Sequence, residues 1–332
     1  MNSLIDPFNR KIEYLRISVT DKCNYRCSYC MPEQGAHPEG NHTEYLSYDE
    51  LARIAKVFAE LGVWKFRLTG GEPLIRKNLN ELAGKISAIP GVRDIALSTN
   101  AERLADQAQA LFDAGVNRTN VSIDTLDPIK FERITRGGNL AKVKAGIDAA
   151  IAVGMTPIKL NMVVMKNTNF DDIPAMLDYA IEKGAYLRFI ETMPIGSAGI
   201  SVMDEHVSAE RILAKVKAHL GKELIPFVDN KEAGPARVFK VAHSDAKIGV
   251  ISAVSQHFCE TCNRVRLTAR GVLALCLGQE DSVDLRAPLR AGASDDDMKA
   301  IILAAIEKKP ERHHFNENRH NIQFRQMVSL GG

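Results

Sequence analysis

No excess of either charge runs through this chain. Its 332 residues carry 43 Lys and Arg against 41 Asp and Glu, a formal net charge of +2. That near balance argues against the broad basic surface of a nucleic-acid binder, though not against a local basic pocket. Long apolar runs are missing too. No stretch approaches the roughly 18 residues of a membrane span, and "MNSLIDPFNRKIEYLRIS" holds no apolar core of signal-peptide length. The expectation is a cytoplasmic protein with neither membrane nor nucleic acid as partner. Repeats beyond a β/α alternation and low-complexity linkers are absent. Cysteine is scarce, at six residues. In a reducing compartment, clustered cysteines mean metal or redox chemistry more often than disulfides.

What is present is an alternation of extended and helical segments over the first two thirds. Strands are expected at 14–20, 64–70, 94–100, 118–124, 157–164 and 186–192. Helices are expected at 47–62, 78–89, 102–114, 139–153 and 171–183, the first opened by a capping box of Ser47 and Glu50. Six β/α units in a row predict an α/β fold with a parallel sheet curved into a full or partial barrel. Near residue 225 the texture changes to a loop at 229–237, short strands at 238–244 and 247–255, and a hairpin at 264–278. A helix from Ser294 to Glu307 follows, then an aperiodic tail. The division is therefore expected as a barrel at 1–225 and a smaller C-terminal domain at 226–332.

Residues i and i+2 of a strand share a face. One face of these strands is apolar, as in Leu15, Ile17 and Val19. The other carries Arg16, Ser18 and Thr20, then Lys65, Arg67 and Thr69, then Ser98 and Asn100. It continues through Asn120, Ser122 and Asp124, Lys159 and Asn161, and Arg188. Barrel interiors are usually filled by Val, Ile and Leu, and an unpaired buried charge costs several kcal/mol. A polar, anionic ligand inside the barrel accounts for this face; mutual pairing or solvent at strand ends is the alternative.

The six cysteines fall into two triplets. Cys23, Cys27 and Cys30 lie in "DKCNYRCSYCMP" after the first strand, where β/α barrels place active sites. Cys259, Cys262 and Cys276 flank the hairpin. Zinc sites usually close with four ligands, and four cysteines usually hold a cubane cluster. Three thiolates leave one iron of such a cluster open to a ligand. For the second triplet, structural zinc with His257 as fourth ligand stays open. His313 and His314 read as exposed tail residues, and "HPEGNH" (37–42) has no assignment.

"CNYRCSYC" and "TGGEP" (69–73) together resemble the cysteine and glycine-rich motifs of the radical S-adenosylmethionine enzymes. The second triplet, the "NRVRL" within it and the terminal "GG" narrow the resemblance, over nearly the whole chain, to the GTP 3′,8-cyclases that begin molybdenum cofactor biosynthesis. The resemblance implies a partial (βα)6 TIM-like barrel with a C-terminal iron–sulfur domain, and two [4Fe-4S] clusters. Cys23, Cys27 and Cys30 would hold one cluster, which chelates S-adenosylmethionine; Cys259, Cys262 and Cys276 would hold the other, facing guanine. Tyr29, Gly71, Ser122 and Met193 match positions around S-adenosylmethionine. Arg16, Arg67, Ser98 and Lys159, with Arg264, Val265 and Arg266, match positions around GTP. Arg188, Gly331 and Gly332 are implied in catalysis.

The implied lyase reaction is reductive cleavage of S-adenosylmethionine to a 5′-deoxyadenosyl radical. That radical takes the C3′ hydrogen of GTP and leads to 3′,8-cyclo-7,8-dihydro-GTP. Implied partners are GTP, a reducing electron donor and cyclic pyranopterin monophosphate synthase as the next enzyme; a homodimer is one open option for assembly. One departure stands out. The family often reads TTNG where this chain reads "STNA" (98–101), so Ala101 gives up the freedom of glycine at positive φ.

Overall fold

The computed structural model describes residues 4–35, 45–227, 234–315 and 326–331. The unassigned 37–42 and the terminal Gly332 fall outside them. The chain opens with β1 (Tyr14–Ser18), α1 (Tyr48–Glu60), β2 (Lys65–Thr69), α2 (Leu79–Ser87), β3 (Asp94–Thr99) and α3 (Ala108–Asp113). It continues with β4 (Arg118–Ser122), α4 (Pro128–Thr135), α5 (Leu140–Ala152), β5 (Lys159–Val164), α6 (Ile173–Glu182) and β6 (Tyr186–Glu191). Two helices follow, α7 (Gly196–Ser201) and α8 (Ala209–Leu220), and then strands β7 (Leu224–Phe227), β8 (Arg237–Val241) and β9 (Lys247–Ile251). The last elements are β10 (Arg264–Leu267), β11 (Val272–Ala274), β12 (Ser282–Asp284), α9 (Arg286–Arg290), α10 (Asp295–Ile306) and α11 (Met327–Leu330).

The six expected strands form consecutive parallel pairs from β1 to β6. The C-terminal strands extend the same sheet at both edges, in the order β12-β11-β10-β1-β2-β3-β4-β5-β6-β9-β8-β7. β10 pairs parallel with β1, and β9 parallel with β6. Antiparallel hairpin partners lie outside each. The expected boundary at 225/226 falls inside β7, and the strands beyond it share one sheet with the barrel.

Local chemistry explains the helices. Ser47 and Glu50 cap α1 reciprocally, and Leu51, Ile54 and Phe58 are fully buried on its inner face. Each such side chain contributes about 1.5–3 kcal/mol of burial. Helix α4 was not anticipated, although Asp127 caps it through the N–H groups of Ile129 and Lys130 and Pro128 opens it. The helix expected at 102–114 is a correction: only Ala108–Asp113 is helical. Ala101 takes the left-handed conformation at φ 62, its N–H donates to Thr99 Oγ1 at 2.9 Å, and residues 102–107 wind as turns.

That turn is pinned from outside by a glycine. A Cβ on Gly146 of α5 would meet the Ala101 carbonyl oxygen at 2.3 Å and Leu104 Cβ at 3.1 Å. Gly146→Ala would gain up to about 1 kcal/mol of helix propensity. Forced against backbone, it would lose about 1–3 kcal/mol to overpacking. A lower thermal midpoint is the expected result, and an unchanged or raised midpoint would show that α5 simply moves aside.

Candidate active site

The alternation of the strands turns their polar face inward. A cavity runs through the barrel, lined by Arg16, Lys65, Arg67, Ser98, Asn161 and Arg188, among others. Lys65, Arg67, Lys159, Arg188, Arg264 and Arg266 are each at most 8% exposed, so the cations are held out of water. Burial, with Arg67 beside it, pulls Arg188 down to about 9. Burial and the neighbouring Arg264 pull Arg266 down to about 10. Burial likewise lowers Arg67 and Lys65. A field that disfavours its own cations is one that an anion would relieve.

Some of this wall is paired within itself. Arg188 Nε donates to Asn161 Oδ1 at 2.9 Å, and Asn120 Nδ2 to Ser98 Oγ at 3.2 Å. Lys159 lies over the Tyr186 ring, 5.3 Å from its centroid. Asp94 takes Arg118 through both oxygens and stands 3.9 Å from Lys65 Nζ. Arg264 and Arg266 point inward from β10. Val265 between them is fully buried in the hydrophobic core, which leaves only its main chain for a ligand.

The first triplet follows β1. Its loop is built on backbone bonds: the N–H groups of Cys30 and Met31 both donate to the Cys27 carbonyl, at 2.9 and 3.0 Å. The end of α4 supports it from below. Thr135 and Ile134 carbonyls accept from Arg26 and Ser28, and Arg136 Nη1 reaches the carbonyls of Arg26 and Met31. Arg136 is a positioning residue that the sequence reading missed. Burial pushes Cys23 up to about 12 and Cys30 up to about 11. Burial and both neighbouring cysteines raise Cys27 as well. Thiols so placed ionise when a cation takes their charge, which is the donor chemistry of a cluster site.

The glycine motif is pressed against this loop. Gly71 N–H donates to the Thr20 carbonyl at 2.7 Å, and Glu72 N–H to the Lys22 carbonyl at 2.8 Å. A Cβ on Gly71 would stand 2.1 Å from the Lys22 oxygen, so only glycine fits. The buried Glu72 carboxylate, pushed up to about 7 by burial, accepts from Leu74 N, Thr99 Oγ1 and Asn100 N. It ties the glycine motif to the "STNA" turn. Tyr29 donates to Asp124 at 2.8 Å, Ser122 is exposed at the end of β4, and Met193 is half-buried after β6. All of them line the cavity except Asp124.

The second triplet lies toward the other end of the barrel. Arg264 is in register with Tyr14, the first residue of β1, so Cys262 enters β10 where β1 begins, whereas Cys23 follows where β1 ends. Burial raises Cys259, with Cys276 and Cys262 acting in the same direction. Burial would raise Cys262 too, but Arg264, Lys309 and Arg266 outweigh it and bring the thiol to about 7. Phe258, Arg264 and Leu277, neighbours of the triplet, line the cavity. Backbone anchors come from far away in sequence. Arg10, ion-paired with Asp6 at 2.6 Å, donates to the Cys259 carbonyl at 2.9 Å, and Lys309 Nζ to the Leu275 carbonyl at 2.6 Å.

His257 stands 3.4 Å from Glu260, on the exposed side. Among the described residues, no three His, Cys, Asp or Glu side chains close around a single ion. His313 corrects an expectation: its ring is stacked on Phe315 at 4.1 Å and half-buried, and burial lowers it to about 4. His314 is exposed. The tail re-enters the barrel: Met327 and Val328 line the cavity, and a Cβ on Gly331 would meet Thr69 Cγ2 at 2.6 Å and Ser18 Cβ at 3.3 Å.

Comparison with known proteins agrees with this geometry. The Radical SAM superfamily profile matches residues 17–180, and the Molybdenum Cofactor Synthesis C profile residues 185–315. A GTP 3′,8-cyclase of Hydrogenovibrio crunogenus is 67% identical over 330 residues, covering 99% of this chain and 100% of that protein. One of Pelotomaculum thermopropionicum is 45% identical, over 98% of this chain and 99% of its own. In fold, the chain resembles Streptococcus suis SuiB bound to S-adenosylmethionine, with a TM-score of 0.64 at 14% identity, over 97% of this chain and 78% of that one. Among the described residues no helix is long and apolar enough to cross a membrane. A cysteine triplet beside a glycine cradle, a second triplet across a cationic barrel and full-length identity of this order agree: the chain belongs to the GTP 3′,8-cyclase family of radical S-adenosylmethionine proteins.

Proposed function

We propose that this chain converts GTP to 3′,8-cyclo-7,8-dihydro-GTP with S-adenosylmethionine and two four-iron clusters. The observation that carries the reading is the juxtaposition of the first triplet and Gly71 with a barrel wall of buried cations. When bound, the first cluster and S-adenosylmethionine supply a radical that abstracts the C3′ hydrogen of GTP.

The protein's share is placement and exclusion of water. Cys23, Cys27 and Cys30 would hold the first cluster in a loop fastened to α4. Gly71 lets backbone approach the methionine end of S-adenosylmethionine, while Tyr29, Ser122 and Met193 border the same side. Arg16, Arg67, Lys159, Arg264 and Arg266 hold the triphosphate, with Ser98 on the same wall and Arg188 beside them as the residue read as catalytic. Planar guanidinium groups suit paired bonds to phosphate oxygens. Cys259, Cys262 and Cys276 would hold the second cluster at the far end and would help to hold the guanine base. A reducing donor and cyclic pyranopterin monophosphate synthase, as consumer of the product, complete the reading, and a cytoplasmic location suits reduced clusters.

Anaerobic incubation of the iron- and sulfide-reconstituted protein with GTP, S-adenosylmethionine and dithionite tests it. Cyclised nucleotide and 5′-deoxyadenosine in matched yield are expected; 5′-deoxyadenosine without cyclised product would overturn the substrate. The tail offers a second check. Leu330 is 1% exposed and Gly331 lies against Ser18 of β1 and Thr69 of β2, which supports reading the diglycine as part of the reacting centre. Deleting Gly331 and Gly332 should leave iron content and GTP affinity near wild type. Cyclisation should fall at least about tenfold, roughly 1.4 kcal/mol of barrier. Equal product per 5′-deoxyadenosine, at equal rates, would reduce the diglycine to a frayed end.

A further inference from the structure

The start of β1 holds a polar group with no role in the reading above. Tyr14 is 3% exposed, on the cavity-facing side of its strand, and lines the cavity. Its hydroxyl is fully buried and has no hydrogen-bond partner among the described residues. Its neighbours explain why. Lys65 and Arg264 are its register partners on the two adjacent strands. Lys65 Nζ and the Arg67 guanidinium lie over its ring, 5.3 and 5.4 Å from the centroid.

Lysine and arginine are donors only, so none of these groups can accept the phenol hydrogen. The carboxylate one strand further on, Asp94, is already held by Arg118. Two further donors in the same wall, Nε of Arg67 and Nε of Arg266, are also buried without a partner among the described residues. A buried donor left unmade costs about 1–3 kcal/mol. Three of them, among cations crowded enough to depress one another's pKa, form a site complete except for an acceptor that carries negative charge.

We propose that the Tyr14 hydroxyl donates a hydrogen bond to a phosphate oxygen of the substrate's polyphosphate, so that Tyr14 is a phosphate-reading residue of this chain. The assignment rests on the reading of GTP as substrate for the identity of the nucleoside, but not for the phosphate itself. An anionic oxygen is favoured over a base acceptor because the surrounding field is cationic. Tyrosine also brings something the arginines lack: a rigid ring that carries the hydroxyl while Lys65 and Arg67 lie against its face.

Tyr14→Phe removes the hydroxyl and keeps the ring, its packing and its cation contacts. Calorimetric titration of the reconstituted wild type and the variant with GTP, inorganic tripolyphosphate and guanosine decides the matter. The expected result is about tenfold weaker binding of GTP and of tripolyphosphate, or about 1.4 kcal/mol, with guanosine, iron content and thermal midpoint unchanged. Unaltered affinity for tripolyphosphate would overturn the assignment and give the hydroxyl to a trapped water. An equal loss for guanosine would overturn it in favour of the base. Should the wild type fail to cyclise GTP, a Tyr14-dependent affinity for tripolyphosphate would still uphold it, which separates this inference from the functional reading.

Discussion

Cys27→Ser is expected to abolish cleavage of S-adenosylmethionine, with or without GTP. The serine hydroxyl is nearly isosteric with the thiol, so packing is not the issue. Cys27 is the middle member of its triplet, and its carbonyl also accepts from Cys30 and Met31, bonds that serine leaves in place. What disappears is a thiolate ligand in a pocket where burial already disfavours the anion. Without the third thiolate, the first cluster loses its anchor and S-adenosylmethionine its iron. Formation of 5′-deoxyadenosine should drop by more than about a thousandfold, or roughly 4 kcal/mol. Iron per chain should fall to about half, since a four-iron cluster at the second triplet would remain. Wild-type amounts of 5′-deoxyadenosine from this variant would sink the assignment of the first triplet.

The parts of this protein that were legible in the sequence are those with a local signature. Strand alternation put Arg16, Arg67, Lys159 and Arg188 on one face, and they do share one cavity. Ser47 and Glu50 announced α1, and Ser294 announced α10. The second triplet's anchors were not legible, because Arg10 and Lys309 bind main-chain carbonyls of Cys259 and Leu275, and a carbonyl acceptor leaves no mark on residue type. The pairing of β9 and β10 onto opposite edges of the barrel is likewise a long-range contact with no motif of its own. The late start of regular helix at α3 follows the left-handed Ala101, whose loss of glycine's freedom is visible in the sequence but whose effect on the next six residues is not. Tyr14 carries no signature of its own in the sequence, since an aromatic residue at the head of a strand is as common in a core as in a site. Only the donors gathered around it show that it lacks an acceptor.

The second cysteine triplet should separate the two halves of the reaction. In Cys262→Ser the first triplet, its α4 support and the Gly71 cradle are untouched, since β1 runs between the two sites. Some cleavage of S-adenosylmethionine should therefore persist. Cyclisation of GTP should not. Cys262 is the thiol that Arg264, Lys309 and Arg266 bring down to about 7, so near neutral pH it already has substantial thiolate character. Serine stays a neutral hydroxyl there and cannot replace it. Two of those cations, Arg264 and Arg266, also face the cavity, so losing the thiolate both frees the cluster and leaves adjacent buried cations without a counter-charge. Cyclised product should fall by at least about a hundredfold, roughly 2.7 kcal/mol, while 5′-deoxyadenosine declines less. Iron analysis carries the decisive control: a loss of about four irons per chain is expected for a cubane site. Unchanged iron, with zinc bound at the second triplet in the wild type, would mean that Cys259, Cys262 and Cys276 serve the fold and that guanine is held by protein side chains alone.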